Sequence, residues 1–104
     1  MKKVSFDLYQ QFFKTFSNRT RFEIIKLLRN GQKSVNEISK ELGFEQSRVS
    51  HNLKKLECCG FVTSEYKGKL KIYSIDKKYM LPIIKNIDKY LKKYDKRLKE
   101  CLKK

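Results

Sequence analysis

The feature that most constrains the fold is a pair of short helical patterns separated by a single glycine. Ser34 and Glu37 stand at the two positions of an N-terminal capping box, and apolar residues follow at helical spacing. Gly43 then occupies the position after the helix end, where a left-handed backbone is wanted. A second helix is predicted at about 45–58. Two short helices joined by a tight glycine turn are typical of a helix-turn-helix, which the sequence predicts at 34–59.

Helices and a hairpin are predicted on both sides of this unit. Residues 61–75 read as two strands joined by a Lys67-Gly68-Lys69 turn, and a long helix follows at 79–102. Two helices come before the unit, and the first carries an aromatic stripe that favours a core position over a ligand site. The stripe consists of Phe6, Tyr9, Phe12, Phe13 and Phe16. The sequence therefore predicts one mostly α-helical domain over 1–104 with a small β-hairpin.

The charge of the chain indicates which partners it can bind. Its formal net charge of +15 favours polyanions, namely DNA, RNA or an acidic membrane face. Part of the lysine content also fits the codon bias of an AT-rich genome. No apolar run approaches the ~20 residues that cross a bilayer. The N-terminus lacks a clean apolar segment of a signal peptide, and three cysteines do not make a disulfide framework. We therefore expect a cytoplasmic protein without a membrane partner.

Four short motifs between residues 16 and 75 resemble one family when they are taken together. They are "NRTRFEII" before the helix-turn-helix, "VSHNLKKL" in its second helix, "GFV" after it and "KGKLKIY" in the hairpin. In this order they resemble the arsenic-repressor (ArsR/SmtB) family of transcription regulators. The resemblance implies a winged helix-turn-helix that binds operator DNA as a homodimer, with the first and last helices as dimerisation helices. The chain departs from the family at Asn52, where members often have histidine.

The second helix of the helix-turn-helix has a polar face that can contact DNA. At about 100° per residue, Val49, Leu53 and Leu56 fall on one inward side. Residues that can donate hydrogen bonds, and no acids, occupy the opposite face: Ser47, Arg48, Ser50, His51, Lys54 and Lys55. Gln46 at the helix start and Arg48 are predicted to read bases, because Gln pairs well with adenine and Arg with guanine. Phosphate contacts are predicted for Ser47, Ser50, Lys54 and the hairpin lysines Lys67, Lys69 and Lys71.

Apolar residues of the last helix have the spacing of a dimer seam. Ile84, Ile87, Leu91, Tyr94 and Leu98 recur at intervals of three and four, which is a heptad pattern. The seam favours a homodimer, and a homodimer offers two recognition helices to a palindromic operator. The open alternative is that the same residues pack within the chain against the aromatic first helix.

Three cysteines, Cys58, Cys59 and Cys101, raise the question of thiol-based sensing of a metal, a metalloid or a redox signal. The familiar thiolate and histidine sites of the resembled family are absent here. The remaining cysteines resemble the cadmium- and lead-responsive arrangement, with Cys59 at one ligand position and Cys101 as the distal ligand. Lys55 stands at the upstream position, so Cys58 has to substitute there. Three thiolates suit a soft ion such as arsenite, Cd(II) or Pb(II). The alternative is that the cysteines are small apolar residues with a packing role.

An enzyme and an interaction module are the two other functional classes for a chain of this kind. An enzyme is not expected, because the sequence has no nucleophile–base pair, no paired carboxylates and no phosphate-binding glycine loop. The alternative from another class is a winged-helix protein-interaction or RNA-binding module without ligand sensing. Salt dependence distinguishes them, since specific duplex binding falls steeply with salt and shows a preferred palindrome.

Overall fold

The structure, a computed structural model, describes residues 3–104 and consists of six helices and three short strands. In chain order these are α1 (Phe6–Ser17), α2 (Arg19–Leu28), β1 (Lys33–Ser34), α3 (Val35–Leu42), α4 (Gln46–Cys58), β2 (Val62–Lys67), β3 (Leu70–Ile75), α5 (Met80–Lys93) and α6 (Asp95–Leu102). The predicted class, mostly α with a small β-hairpin, is confirmed. Within the described residues, no helix is both long and apolar enough to cross a membrane.

The junction between α3 and α4 forms as the local sequence dictates. Ser34 Oγ accepts a hydrogen bond from the Glu37 backbone N–H, and the Glu37 carboxylate accepts one from the Ser34 backbone N–H, so the capping box is complete. Gly43 ends α3 with φ of 70°, a left-handed backbone that favours glycine. These local contacts set the tight turn into α4, which is the second helix of the motif.

The sheet has three antiparallel strands in the order β1-β3-β2. The predicted hairpin is present, with Val62 opposite Ile75 at one end and Lys67 opposite Leu70 at the turn. The third strand, β1, was not predicted from the sequence, and its Ser34 pairs with Ile72. A strand of two residues is too short to show an alternating pattern, so its pairing depends on the tertiary structure.

The core lies between the helix-turn-helix, α2, the sheet and the start of α5. Val49, Leu53 and Leu56 are completely buried, which confirms the predicted inward side of α4. The rest of the core cluster comes from every other major element except α1 and α6: Ile24, Ile25, Leu28, Ile38, Phe61, Val62, Tyr73, Ile75, Met80 and Ile84. Burial of this set fixes α4 against the sheet and leaves its other side exposed.

The C-terminal helix is not continuous, contrary to the predicted single helix at 79–102. The chain leaves helical geometry at Tyr94, with φ of −104° and ψ of 18°, between α5 and α6. The local charges suit two separate helix ends, because Lys92 and Lys93 lie in the last turn of α5 and Asp95 in the first turn of α6. The heptad seam therefore does not run along one unbroken helix.

The aromatic stripe of α1 is only partly in the core of a single chain. Phe12 and Phe16 contact Phe61, with ring centroids 5.3 and 6.3 Å away. Phe6 and Phe13 are 74% and 62% exposed, so the expectation that the whole stripe is core is wrong for one chain. The outer aromatic residues form an apolar surface that a single chain does not cover.

Candidate nucleic-acid interface

The exposed side of α4 is polar and free of carboxylates. The seven side chains of α4 that are predicted to face DNA are all exposed: Gln46, Ser47, Arg48, Ser50, His51, Lys54 and Lys55. Glu57, an acid within α4, turns away toward the sheet, where its carboxylate accepts a hydrogen bond from Ser64 Oγ and lies 4.0 Å from Lys71 Nζ. The outward side can therefore meet a polyanion without a nearby acid on this helix.

Three residues form the centre of this outward side. Ser47, His51 and Lys54 lie roughly 140–160° around the helix axis from the buried Val49. Within residues 3–104, their side chains take part in no intrachain hydrogen bond or ion pair. Their donor groups are therefore available to an external partner.

Arg48 has a different environment from these residues. It lies only about 100° from Val49, on the flank of α4 that faces α2. Its Nε and Nη2 donate hydrogen bonds to Thr20 Oγ1, and the Nε distance is 3.1 Å. Its guanidinium carbon also sits 3.9 Å from the centre of the Phe44 ring. The predicted reader of guanine is therefore bound within its own chain.

The residue next to His51 faces inward. Asn52 is 9% exposed, its Nδ2 donates to the Arg48 carbonyl at 2.8 Å, and its Oδ1 accepts from Arg21 Nε at 3.2 Å. The departure from the resembled family at this position therefore concerns a buried contact with α2. His51 is the exposed member of the pair.

The remaining predicted DNA contacts differ in how freely they project. Gln46 Nε2 donates to Asn36 Oδ1 of α3, which connects the two helices of the motif. Lys67 and Lys69 flank Gly68 at the exposed hairpin turn. Lys71 Nζ instead lies 5.4 Å from the Tyr73 ring centre, and the neighbouring Tyr73 side chain raises the pKa of Lys71. Lys67 and Lys69 at the hairpin tip thus have no hydrogen-bond or ion-pair partner among residues 3–104, whereas Lys71 is held by the sheet and by Glu57.

The cysteines are all exposed and reduced, but one chain does not assemble them into a site. Cys59 Sγ lies 4.0 Å from Thr15 Oγ1, at the edge of a cavity of about 230 Å³ between α1 and the end of α4. Within residues 3–104, no three His, Cys, Asp or Glu side chains lie close enough to hold a metal ion. Cys58, Cys59 and Cys101 therefore do not fit a three-thiolate site within a single subunit. Cys59 is also not the buried small residue of the packing alternative.

The predicted dimer seam is divided between the core and the surface. Ile84 is buried, Ile87, Tyr94 and Leu98 are half-buried, and Leu91 is 46% exposed. The start of the seam thus packs within the chain, and the later residues remain partly uncovered. The exposed large apolar residues of α1, α5 and α6 are Phe6, Leu8, Tyr9, Phe13, Tyr90, Leu91 and Leu102.

Comparison with known proteins matches this architecture. Residues 18–64, from the start of α2 to the first half of β2, match the family model described as bacterial regulatory protein, arsR family. Rv0081 of Mycobacterium tuberculosis, described as an uncharacterised HTH-type transcriptional regulator, is 37% identical over 71 residues. Residues 18–64 therefore carry the sequence pattern of the arsR family. This confirms the resemblance found in the four short motifs.

Other relatives and structures of the family extend the comparison. The match covers 67% of this chain and 62% of Rv0081, so the chain spans less than two thirds of that relative's length. A probable mercury resistance operon repressor of Streptomyces lividans is 30% identical over 69 residues, which are 66% of this chain and 55% of the repressor. These relatives are named as regulators and not as enzymes, in agreement with the expectation from the sequence.

Two solved structures have the same fold. The crystal structure of Rv0081 superposes with a TM-score of 0.82 at 28% identity, covering 93% of this chain and 99% of that one. The solution structure of Mb0332 from Mycobacterium bovis, described as a homodimeric winged helix-turn-helix DNA-binding domain, has a TM-score of 0.79 at 21% identity and covers 93% and 95%. The winged helix-turn-helix prediction is therefore confirmed.

Two residues beside the interface were not identified from the sequence. Thr20 and Arg21, at the start of α2, hold the flank of α4 through Arg48 and Asn52. The signal in the sequence is the "NRTRFEII" motif, which contains both residues and indicates only a family resemblance. Helical periodicity does not show which neighbouring helix a flanking side chain reaches, so the contact itself required the tertiary structure.

Proposed function

We propose that the protein is a sequence-specific double-stranded DNA-binding transcriptional regulator that acts as a homodimeric repressor. The observation that carries this proposal is the exposed, acid-free side of α4, whose central residues Ser47, His51 and Lys54 take part in no side-chain hydrogen bond or ion pair within residues 3–104. A recognition helix in the major groove presents its first residues to base edges. Gln46, Ser47 and His51 are then the base contacts, and Lys54, Lys67 and Lys69 bind phosphates.

A homodimer through α1 and the C-terminal helices completes the DNA-binding unit. The exposed aromatic residues of α1 and the exposed Tyr90 and Leu91 of α5 supply the apolar surface for it. Two α4 helices related by a two-fold axis contact successive major grooves, about 34–36 Å apart. The operator is therefore expected to be palindromic.

Selection from a random duplex pool tests the proposal. The wild type should enrich one palindrome and lose affinity steeply as salt rises. Lys54→Ala should weaken binding to all sequences and reduce the log–log salt slope by about one. Lys77→Ala, an exposed lysine outside the interface, is the matched control and should leave the slope unchanged. Equal binding of all duplexes, or a preference for RNA or a protein, would support the interaction-module alternative instead.

The second part of the proposal is that a soft thiophilic ion is the signal that releases the protein from DNA. Its support is the presence of three exposed thiols, two of them at the end of α4, and a relative named as a mercury resistance operon repressor. Because the thiols of one chain do not converge, such a site has to combine Cys58 and Cys59 with Cys101 of the other subunit. Three thiolates suit arsenite, Cd(II) or Pb(II).

Titration of the DNA complex with each ion tests this site. Arsenite, Cd(II) or Pb(II) should release DNA from the wild type, and each single Cys→Ser variant should bind DNA normally without being released. Release that persists in all three variants would contradict the site.

A further inference from the structure

Consecutive residues at the start of α2 both bind the recognition helix. Thr20 is 8% exposed, and its hydroxyl oxygen accepts two hydrogen bonds from the Arg48 guanidinium. The next residue, Arg21, donates from Nε to Asn52 Oδ1 at 3.2 Å. Asn52 in turn donates from Nδ2 to the backbone carbonyl of Arg48 at 2.8 Å. These four residues form one hydrogen-bonded cluster between α2 and the flank of α4, and the Arg48 backbone carbonyl connects its two halves.

The same guanidinium also contacts the turn before α4. Its carbon lies 3.9 Å from the Phe44 ring centre, and Phe44 follows the left-handed Gly43. The Phe44 carbonyl accepts a hydrogen bond from Ser39 Oγ of α3. Arg48 therefore touches α2 and the turn at once, while its own backbone belongs to α4. A planar guanidinium suits this role because it can stack and donate at the same time.

We infer that Arg48 is a positioning residue, which fixes the angle of α4 against α2 and the turn, and that Thr20 is its anchor. The inference rests on the proposed function, since the positioned surface is the DNA-binding side of α4. It replaces the expectation that Arg48 reads guanine. To reach a base, the guanidinium has to give up Thr20 and Phe44 together, whereas Ser47, His51 and Lys54 already face outward.

The inference assigns a task to the Thr20–Arg21 pair. A rotation of α4 about its axis moves every outward side chain relative to the groove, so a contact on the flank affects all base positions at once. Loss of a base reader changes the preference at one base pair instead. The two roles therefore differ in how a substitution affects different DNA sequences.

The direction in which Thr20→Val changes the affinity for DNA provides the test. Valine keeps the shape of threonine and removes the hydroxyl. If Thr20 anchors a positioning residue, Thr20→Val should weaken binding about 3- to 10-fold, which corresponds to the net contribution of one typical hydrogen bond. The loss should be equal for the selected palindrome and for its single-base variants. Thr20→Ser, which keeps the hydroxyl, should bind DNA with wild-type affinity.

Substitution of Arg48 completes a double-mutant cycle with Thr20→Val. Arg48→Ala should reduce affinity without changing base preference, and Thr20→Val should add little in the Arg48→Ala background, because both remove the same contact. A rise in affinity with Thr20→Val, or a changed preference at one base pair with Arg48→Ala, would overturn the inference and show that Arg48 leaves Thr20 to read DNA.

Measurements without DNA separate this inference from the proposed function. The Arg48 Nε–H signal in NMR should exchange slowly with water in the wild type and in Thr20→Ser, and rapidly in Thr20→Val. Thermal unfolding of each variant shows whether it is folded at the assay temperature. A wild type that binds no duplex contradicts the proposed function. A wild type that binds DNA while Thr20→Val behaves identically contradicts only the anchoring role.

Discussion

Arg29, the residue that caps the C-terminal end of α2, and Asp88 of α5 form an ion pair that ties α5 to the core. The start of α5 is held by the buried Met80 and Ile84, whereas Leu91 beyond the pair is largely exposed. A cavity of about 240 Å³ lies beside the pair, between α1, α2 and α5. The pair thus fixes the point at which α5 leaves the core and extends toward the proposed dimer partner.

Removal of this ion pair should destabilise the chain slightly. Asp88→Asn is expected to lower the free energy of unfolding by about 0.5–1 kcal/mol, because both partners are partly exposed and the pair is screened by solvent. The loss should shrink as salt is added. Asp95→Asn is the matched control, since it removes the same charge from an i,i+4 pair with Lys99 that is mostly exposed. Urea denaturation of both variants measures the difference, and equal midpoints at low salt would contradict the prediction.

The exposed apolar surface of α1 and α5 should be required for dimerisation. Phe13→Lys combined with Leu91→Lys should give monomers, because lysine at these positions cannot be buried without its charge being desolvated. Tyr66→Lys combined with Leu70→Lys adds the same charge at exposed positions of the hairpin and should leave the dimer intact. Sedimentation equilibrium of the three proteins decides the matter. A wild type that is monomeric at micromolar concentration refutes the proposed dimer.

The capping box should contribute measurably to stability. Ser34→Ala removes the acceptor of the Glu37 N–H, and the loss of such a cap lowers the free energy of unfolding by about 0.5–2 kcal/mol. Ser47→Ala, in an exposed position of α4, should change it by no more than about 0.5 kcal/mol. Denaturant titration by circular dichroism compares the two. Equal stability of the two variants would mean that the cap contributes nothing beyond an ordinary surface serine.

Acid should lower the stability of the folded protein, because two carboxylates that accept backbone hydrogen bonds become protonated. The Ser34 backbone N–H lowers the pKa of Glu37 below its ordinary value of 4.5, and the N–H groups of Met80 and Tyr79 lower the pKa of Asp76 below 3.8. A lowered folded-state pKa gives stability that is fully present above the unfolded-state value and is lost as the pH falls through the folded-state value. The melting temperature should therefore fall as the pH drops below these ordinary values.

A single substitution isolates the part of this effect due to Asp76. Asp76→Asn keeps an oxygen acceptor but does not titrate, so its melting temperature should depend less on pH than that of the wild type in the acid range. Calorimetry at several pH values measures both curves. Parallel curves below pH ~4 would exclude a contribution from Asp76.

The local sequence determined the helix-turn-helix and the two sides of α4. Ser34, Glu37 and Gly43 act on backbone groups within a few residues of themselves, so their effect can be read without the rest of the chain. The burial of Val49, Leu53 and Leu56 follows from the 3.6-residue period alone. The hairpin is equally local, because its strands adjoin their own turn.

The tertiary structure decided what each flanking side chain touches. Arg48 reaches Thr20 across 28 residues of sequence, and Lys71 lies beside Glu57 of α4, so neither has the free position that its local sequence suggests. The exposure of Phe13 and the break at Tyr94 were also decided by the tertiary structure, because the first and last helices contribute few residues to the core. Periodicity gives the direction of a side chain relative to its own helix axis. The neighbour in that direction is fixed only by the packing of the other elements.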